Sequence, residues 1–396
     1  MPPSARIILL FLASAIALAT ALSPQAAEQD SWLDRALERV RSTPLGLPPV
    51  VHPPDNPPTP AKIELGRKLF FDRRLSHNGT MSCAMCHVPE QGFTNNELST
   101  PVGFEGKTVR RNSPTIINVA YVDLLFHDGR DPALETQFVA PMTASNEMAN
   151  PSLGFVVARL AELDDYAPLF QAAFGGGPSP DRIGQALGAY QRTLLAGASR
   201  FDKWRYGGQQ DALSDQEKQG FELFTGRAGC ASCHTVGDRD ALFSDGQFHD
   251  NGYGWQREQE RQGKGPLVEV ELAPGVTTSM EPDVLRTIGD PSPPDLGRYE
   301  VTLEPKDRWR FRVPSLRNVA LTAPYMHDGK LRSLDDVVAF YDNGGAPHDG
   351  VDTRIKPLGL TPAEAGALVA FLKSLTGDNI EQLIAEARSA APDNIR

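Results

Sequence analysis

Apolar residues recur at helical spacing in two stretches that copy one another. In Pro60-Ala61-Lys62-Ile63-Glu64-Leu65-Gly66-Arg67-Lys68-Leu69-Phe70 the apolar positions follow the 3.6-residue period, and Pro60 suits a first helical turn. The pattern returns after Leu213. There Ser214 and Glu217 have capping-box spacing, and Gly220, Leu223 and Phe224 repeat Gly66, Leu69 and Phe70. A second pair of helices closes the two halves. Ser179-Pro180 caps one that carries Ile183, Leu187, Tyr190 and Leu194 on one face. Thr361-Pro362-Ala363-Glu364 caps the other, with Leu368, Phe371, Leu372 and Leu375, and Gly377 is the expected stop. One such stripe signifies only core, but its duplication predicts a mainly α fold of two equivalent halves.

A finer repeat lies between those helices at an offset of 200. Pro114-Thr115-Ile116-Ile117-Asn118-Val119-Ala120 matches Pro314-Ser315-Leu316-Arg317-Asn318-Val319-Ala320, and His127-Asp128-Gly129 matches His327-Asp328-Gly329. Leu134-Glu135 against Leu334-Asp335 keeps the register, so Pro141 and Tyr341 should occupy equivalent places. Upstream, Pro44, Pro48, Pro49, Pro53, Pro54, Pro57, Pro58 and Pro60 exclude a helix and predict an extended arm on the surface.

Charge and composition narrow the classes. The 396 residues carry a formal charge of −11 with scattered Lys and Arg, which argues against nucleic acid or an anionic membrane as partner. Arg6, the apolar run from Ile7 to Leu12 and the small-x-small Ala19-Thr20-Ala21 predict a cleaved signal peptide, with no stable membrane span afterwards. The expected order is a signal peptide (1–21), a Pro-rich arm (22–60), a first unit (61–205) and a second unit (206–396), in a periplasmic protein.

All four cysteines fall in two CxxCH motifs, Cys83-Ala84-Met85-Cys86-His87 and Cys230-Ala231-Ser232-Cys233-His234. Two cysteines at this spacing can each form a thioether to one porphyrin, and the histidine after the second falls beneath the iron. Disulfides or zinc would leave two complete motifs unexplained. Each half is therefore expected to be a cytochrome c-like helical domain holding one covalently attached c-type haem, with His87 and His234 as iron ligands.

The repeat then distinguishes the two irons. Tyr341 can close the second as a phenolate, because a metal cation favours the deprotonated form, whereas Pro141 offers no ligand and leaves the first open. An open haem that cleaves peroxide needs a group to carry a proton between the two oxygens. Gln137 and Glu147 are the polar candidates around Pro141, and Glu147 is the one able to move protons.

The order CxxCH, Arg-Asn-x-Pro-Thr, x-Asp-Gly-Arg, Leu-Glu-x-Gln, Asn-Glu-Met, CxxCH and Val-Pro-Ser-Leu-Arg-Asn-Val-Ala-Leu-Thr-Ala-Pro-Tyr-Met-His-Asp-Gly resembles the bacterial di-haem cytochrome c peroxidase and MauG superfamily over nearly everything after residue 60. The resemblance implies a peroxide-reacting first haem, an electron-transfer second haem and a calcium ion between the domains. That ion would be held by the Asn112 side chain and the Thr322 and Pro324 carbonyls. It puts Gln137, Pro141 and Glu147 in the distal pocket, with Glu147 as the acid–base residue. Tyr341 falls where the peroxidases usually place methionine and where MauG has tyrosine. The distal histidine that many of these peroxidases release on reduction is missing, which implies activity without reductive priming. His127 replaces the tryptophan usually found between the haems, and its role is open between packing, hydrogen bonding, redox relay and iron ligation. Ala228 stands where MauG has a surface tryptophan.

The expected function is reduction of hydrogen peroxide to water with electrons from a small cytochrome or copper protein. The alternatives are a MauG-like oxidase that modifies a residue of a partner protein, and a di-haem electron carrier without catalysis.

Overall fold

The computed structural model describes residues 24–262, 267–273, 275–281, 284 and 294–389, so the expected signal peptide lies outside them. Helices dominate, joined by two small antiparallel pairs, Phe248–His249 with Phe311–Arg312 and Val268–Ala273 with Val276–Met280. Among the described residues no helix is long and apolar enough to cross a membrane.

Two helix pairs form the frame. Pro60–Phe71 crosses Pro180–Gln191, and Asp215–Thr225 crosses Pro362–Lys373. Thr59 and Ser179 accept the backbone N–H of Lys62 and Arg182, while Ser214 with Glu217 and Thr361 with Glu364 form full capping boxes. A glycine sits at each crossing because the backbones nearly touch. A Cβ on Gly66 would lie 1.9 Å from the Ala186 carbonyl oxygen, and one on Gly220 would lie 2.0 Å from that of Ala367. The last helix of the second pair ends at Lys373, before the expected stop; Gly377 instead donates its N–H to Asn318 Oδ1 at 2.8 Å.

Two hydrophobic clusters form among the described residues, and each draws side chains from both of the expected units. Phe201, expected in the first unit, packs in the second cluster at 5.3 Å from both Phe221 and Phe243. Conversely Ile380, Leu383 and Ala387, on the Ile380–Arg388 helix, complete the first cluster. That helix is fixed by Glu386, whose carboxylate takes Arg39 Nη2 at 2.6 Å and Arg35 Nε at 2.8 Å.

The 22–60 arm is built in two parts. Its first part is a helix, Pro24–Arg41, that buries Trp32, Ala36 and Leu37 in the first cluster. The reason is legible afterwards: the prolines begin only at Pro44, and Trp32, Leu33, Ala36, Leu37 and Val40 hold helical spacing. The rest of the arm is non-helical as expected, but it is pinned. Asn56, 1 % exposed, donates to Glu135 Oε1 at 2.7 Å.

The offset-200 repeat is carried by the backbone itself. Asn118 and Asn318 share a left-handed conformation (φ 61°, ψ 18° and φ 61°, ψ 17°), and Gly129 and Gly329 do likewise at φ 67° and 66°. The copies then part. Leu334–Asp342 is one helix, whereas its counterpart is split into Leu134–Gln137 and Val139–Thr143. Pro141 has no N–H to donate to the Gln137 carbonyl, so a continuous helix loses a bond there.

Candidate active site

The first CxxCH begins as a single helical turn, Cys83–Cys86, with the His87 N–H donated to Cys83 O at 3.0 Å. Above it opens a cavity of about 420 Å³ lined by Cys83, Cys86 and His87 together with Gln137, Pro141 and Glu147. Residues as far apart in the chain as Cys83 and Glu147 thus face one space. Burial pushes the Cys83 and Cys86 thiols up to about 12, so neither is poised as a free thiolate.

Both motif histidines are set the same way. His87 Nδ1 lies 3.2 Å from Phe93 O, and His234 Nδ1 lies 2.8 Å from Phe243 O. A carbonyl can only accept, so each Nδ1 carries the proton and each Nε2 keeps its lone pair for a metal. Burial holds both imidazoles below their ordinary pKa, which favours that neutral form. The left-handed φ of Phe93 and Phe243, 55° and 52°, turns the carbonyls inward. Phe70 and Phe224 flank the two rings identically, at 6.4 Å and 42° in each half. Residue spacing hid these carbonyls, because Phe93 follows its histidine by six positions and Phe243 by nine.

Glu147 enters the cavity from the loop after Val139–Thr143. Its N–H bonds Ala144 O at 3.0 Å and its carbonyl accepts the Phe104 N–H at 3.0 Å. Gly103 permits this approach, since a Cβ there would lie 2.1 Å from Asn146 O. Burial raises the Glu147 pKa and the nearby Arg130 guanidinium partly opposes the rise. Arg130, which sequence reasoning missed, is held over the Phe126 ring at 3.4 Å and bonds Asp128 Oδ1 at 3.1 Å. Two residues before Gln137, Glu135 receives Arg192 Nη2 at 3.0 Å and anchors the segment to the Pro180–Gln191 helix.

At the second CxxCH the equivalent of Pro141 is a phenol. Tyr341 accepts a hydrogen bond from Asn251 Nδ2 at 2.9 Å, and its oxygen is close enough to Cys230 and Cys233 to feel both thiols. Burial raises its pKa while the Asn251 bond favours the phenolate, so a metal charge would be needed to ionise it. Asn251 has no partner in the first half and was invisible to the repeat. Beside this site Cys233, Asp245 and His249 form a group of potential metal ligands among the described residues. Both ring nitrogens of His249 are already engaged, by Asp245 and Asp352 at 2.9 Å each, and Cys233 belongs to the CxxCH.

His127 lines the first cavity, and its Nε2–H donates to Asn112 O at 2.9 Å, with burial depressing its pKa to about 3. It is a neutral hydrogen-bonding residue in this arrangement. Asn112 turns its carboxamide nitrogen to Ser99 O at 3.0 Å, which frees its oxygen, and donates its backbone N–H to His327 O at 2.8 Å. Thr322 and Pro324 lie on the segment leading to His327; the Thr322 hydroxyl bonds Val319 O at 3.2 Å. Ala228 is buried at the edge of the second cluster, 9 % exposed.

A family model described as di-haem cytochrome c peroxidase matches residues 60–211. The chain is 38% identical over 334 residues to methylamine utilization protein MauG of Methylorubrum extorquens, covering 83% of this chain and 82% of that protein. It is likewise 38% identical over 343 residues to cytochrome-c peroxidase IdrP1 of Denitromonas iodatirespirans, covering 84% and 86%. A solved MauG-like protein associated with microbial copper homeostasis superposes with a TM-score of 0.69 at 30% identity, over 90% of this chain and 99% of that one. The chain therefore belongs to the di-haem cytochrome c peroxidase family of oxidoreductases, for which two c-type haems are implied.

Proposed function

We propose that the protein is a periplasmic peroxidase that reduces hydrogen peroxide to two waters, taking two protons from solvent and two electrons from a small cytochrome or copper protein. The observation that carries this reading is the single cavity joining His87 to Glu147, Gln137 and Pro141. Cys83 and Cys86 would hold one haem by thioethers with His87 on its iron; Cys230 and Cys233 would hold the other between His234 and Tyr341. The free Nε2 of both histidines and the neutral thiols fit that group. Bound haem supplies the redox iron for O–O cleavage.

The chain's own residues do the rest. Glu147 takes the proton from one peroxide oxygen and returns it to the departing one, a task suited to a carboxyl whose pKa is lifted by burial. The Gln137 carboxamide orients the oxygens by hydrogen bonding. Pro141 leaves the position above His87 free. Asn112, with the Thr322 and Pro324 carbonyls, offers oxygen donors of the type calcium prefers where the two copies of the repeat meet.

A second reading, oxidation of a residue in a partner protein, is favoured by Tyr341 and by the identity to MauG. Ala228 gives it no indole at the matching position. Steady-state peroxide consumption with a reduced cytochrome or cupredoxin separates them. Rapid turnover supports the peroxidase, whereas sluggish turnover beside a long-lived oxidised species favours protein modification. Two low-spin haems inert to peroxide would leave only an electron carrier.

A further inference from the structure

A line of rings, joined at one point by a backbone segment, runs between the two candidate haem sites. His127, on the wall of the first cavity, is tied through the Asn112 backbone to His327, by bonds of 2.9 Å and 2.8 Å. His327 stacks on Phe311 at 3.9 Å and 8°, and meets the Tyr253 ring edge-on at 5.6 Å. Tyr253 meets Phe340 at 5.6 Å, and Phe340 meets Tyr341 at 5.2 Å. Of these side chains between the two ends only Tyr253 is readily oxidised, because imidazole and phenyl rings hold their electrons more tightly than a phenol that can shed its proton.

Tyr253 has the partner for that proton. Its hydroxyl donates to Asp328 Oδ1 at 2.9 Å, and the other oxygen of Asp328 receives Arg257 Nε at 2.8 Å. The tyrosine is 5 % exposed, so water does not compete for the proton. A buried phenol ordinarily needs only one acceptor to be satisfied, and a backbone carbonyl would serve; here the acceptor is a carboxylate, which is basic.

We propose that Tyr253 is a redox relay between the two haem sites, with Asp328 as its proton acceptor; this rests on the peroxidase reading above. Tyr253 gives one electron to the peroxide-oxidised haem on the His87 side, and its O–H proton passes to the Asp328 carboxylate, leaving a neutral tyrosyl radical. An electron arriving by way of the Tyr341 haem reduces the radical, and the proton returns from Asp328. No atom is gained or lost over the cycle. The indole that the chain lacks at position 127 is thereby replaced by a phenol with its own base.

The test is EPR of the haem-loaded protein, freeze-quenched after peroxide, with the haem absorbance followed in the same samples. The wild type is expected to give a radical signal that narrows when its tyrosines are ring-deuterated. Tyr253→Phe keeps the ring and its neighbours, and should lose the signal with an unchanged resting spectrum. Asp328→Asn should lose or weaken it and make its formation depend on solvent pH. A deuterium-sensitive signal that survives in Tyr253→Phe would overturn the assignment. So would a wild type whose haem absorbance responds to peroxide without any tyrosyl signal, which leaves the peroxidase reading intact. No absorbance response at all would defeat the peroxidase reading and this inference together.

Discussion

The Asn251 carboxamide nitrogen stands 2.9 Å from the Tyr341 phenol oxygen. Because Asn251 donates, the phenol does not spend its own proton on that bond and is free to lose it and offer its oxygen to an iron. Tyr341→Phe should therefore open the second haem to small ligands, read as a cyanide- or carbon monoxide-induced optical shift absent from the wild type. An unchanged low-spin spectrum would remove Tyr341 from the coordination sphere.

Glu147→Gln should slow peroxide cleavage by about 10²–10⁴-fold, the range of a lost acid–base group, in stopped-flow mixing with peroxide.

The pH dependence of that step has a definite sign. Glu147 must be ionised to accept the first proton, and burial raises its pKa, so the rate should climb with pH through a midpoint above the ordinary glutamate value. Glu147→Gln should lose that inflection. Folding responds in the opposite sense: with the folded pKa raised, the native state binds the proton more tightly, and the stability this gives is lost as pH rises through the folded value. Chemical denaturation of the wild type and Glu147→Gln across that window checks the second half.

The two halves of the frame were legible because helix caps and stripes are local signals. Ser214, Glu217, Thr361 and Glu364 stand three residues from their partners, and the bonds follow from that spacing. Position 141 against 341 was legible through duplication. What escaped reading depends on distant partners: the Phe93 and Phe243 carbonyls sit at unequal spacings, Asn251 has no copy, and the Arg130 charge acts on Glu147 only once the chain folds. The Pro24–Arg41 helix was overlooked because the prolines after it dominated the composition of the arm.

Gly66→Ala and Gly220→Ala should each destabilise the protein, by about 1–3 kcal/mol as for an overpacked core, because the new methyl meets a helix carbonyl in both copies. Thermal unfolding of the two variants checks it. Similar losses are expected because the contacts, 1.9 Å and 2.0 Å, are nearly the same.

Asp202→Ala should cost roughly 3–5 kcal/mol, the range for stranding one member of a buried ion pair. Its carboxylate takes both Arg317 Nη1 and Nη2 at 2.9 Å, and the two side chains are 0% and 1% exposed. Arg317 also bonds Ala241 O at 2.6 Å and the Gly46 carbonyl, so its loosening would free the arm as well. Urea denaturation, compared with Arg317→Met/Asp202→Leu, separates a stranded charge from a lost contact.

The Ile380–Arg388 helix gives the molecule a clasp, with Glu386 near one end of the chain gripping Arg35 and Arg39 near the other. Synthesis delivers Arg35 351 positions before the glutamate it pairs with. The first cluster must therefore wait, with part of its apolar surface uncovered, until Ile380, Leu383 and Ala387 have been made. Premature termination would remove the latch from the half of the protein that was made earliest, and damage there would be felt far from the missing residues in sequence and immediately beside them in space.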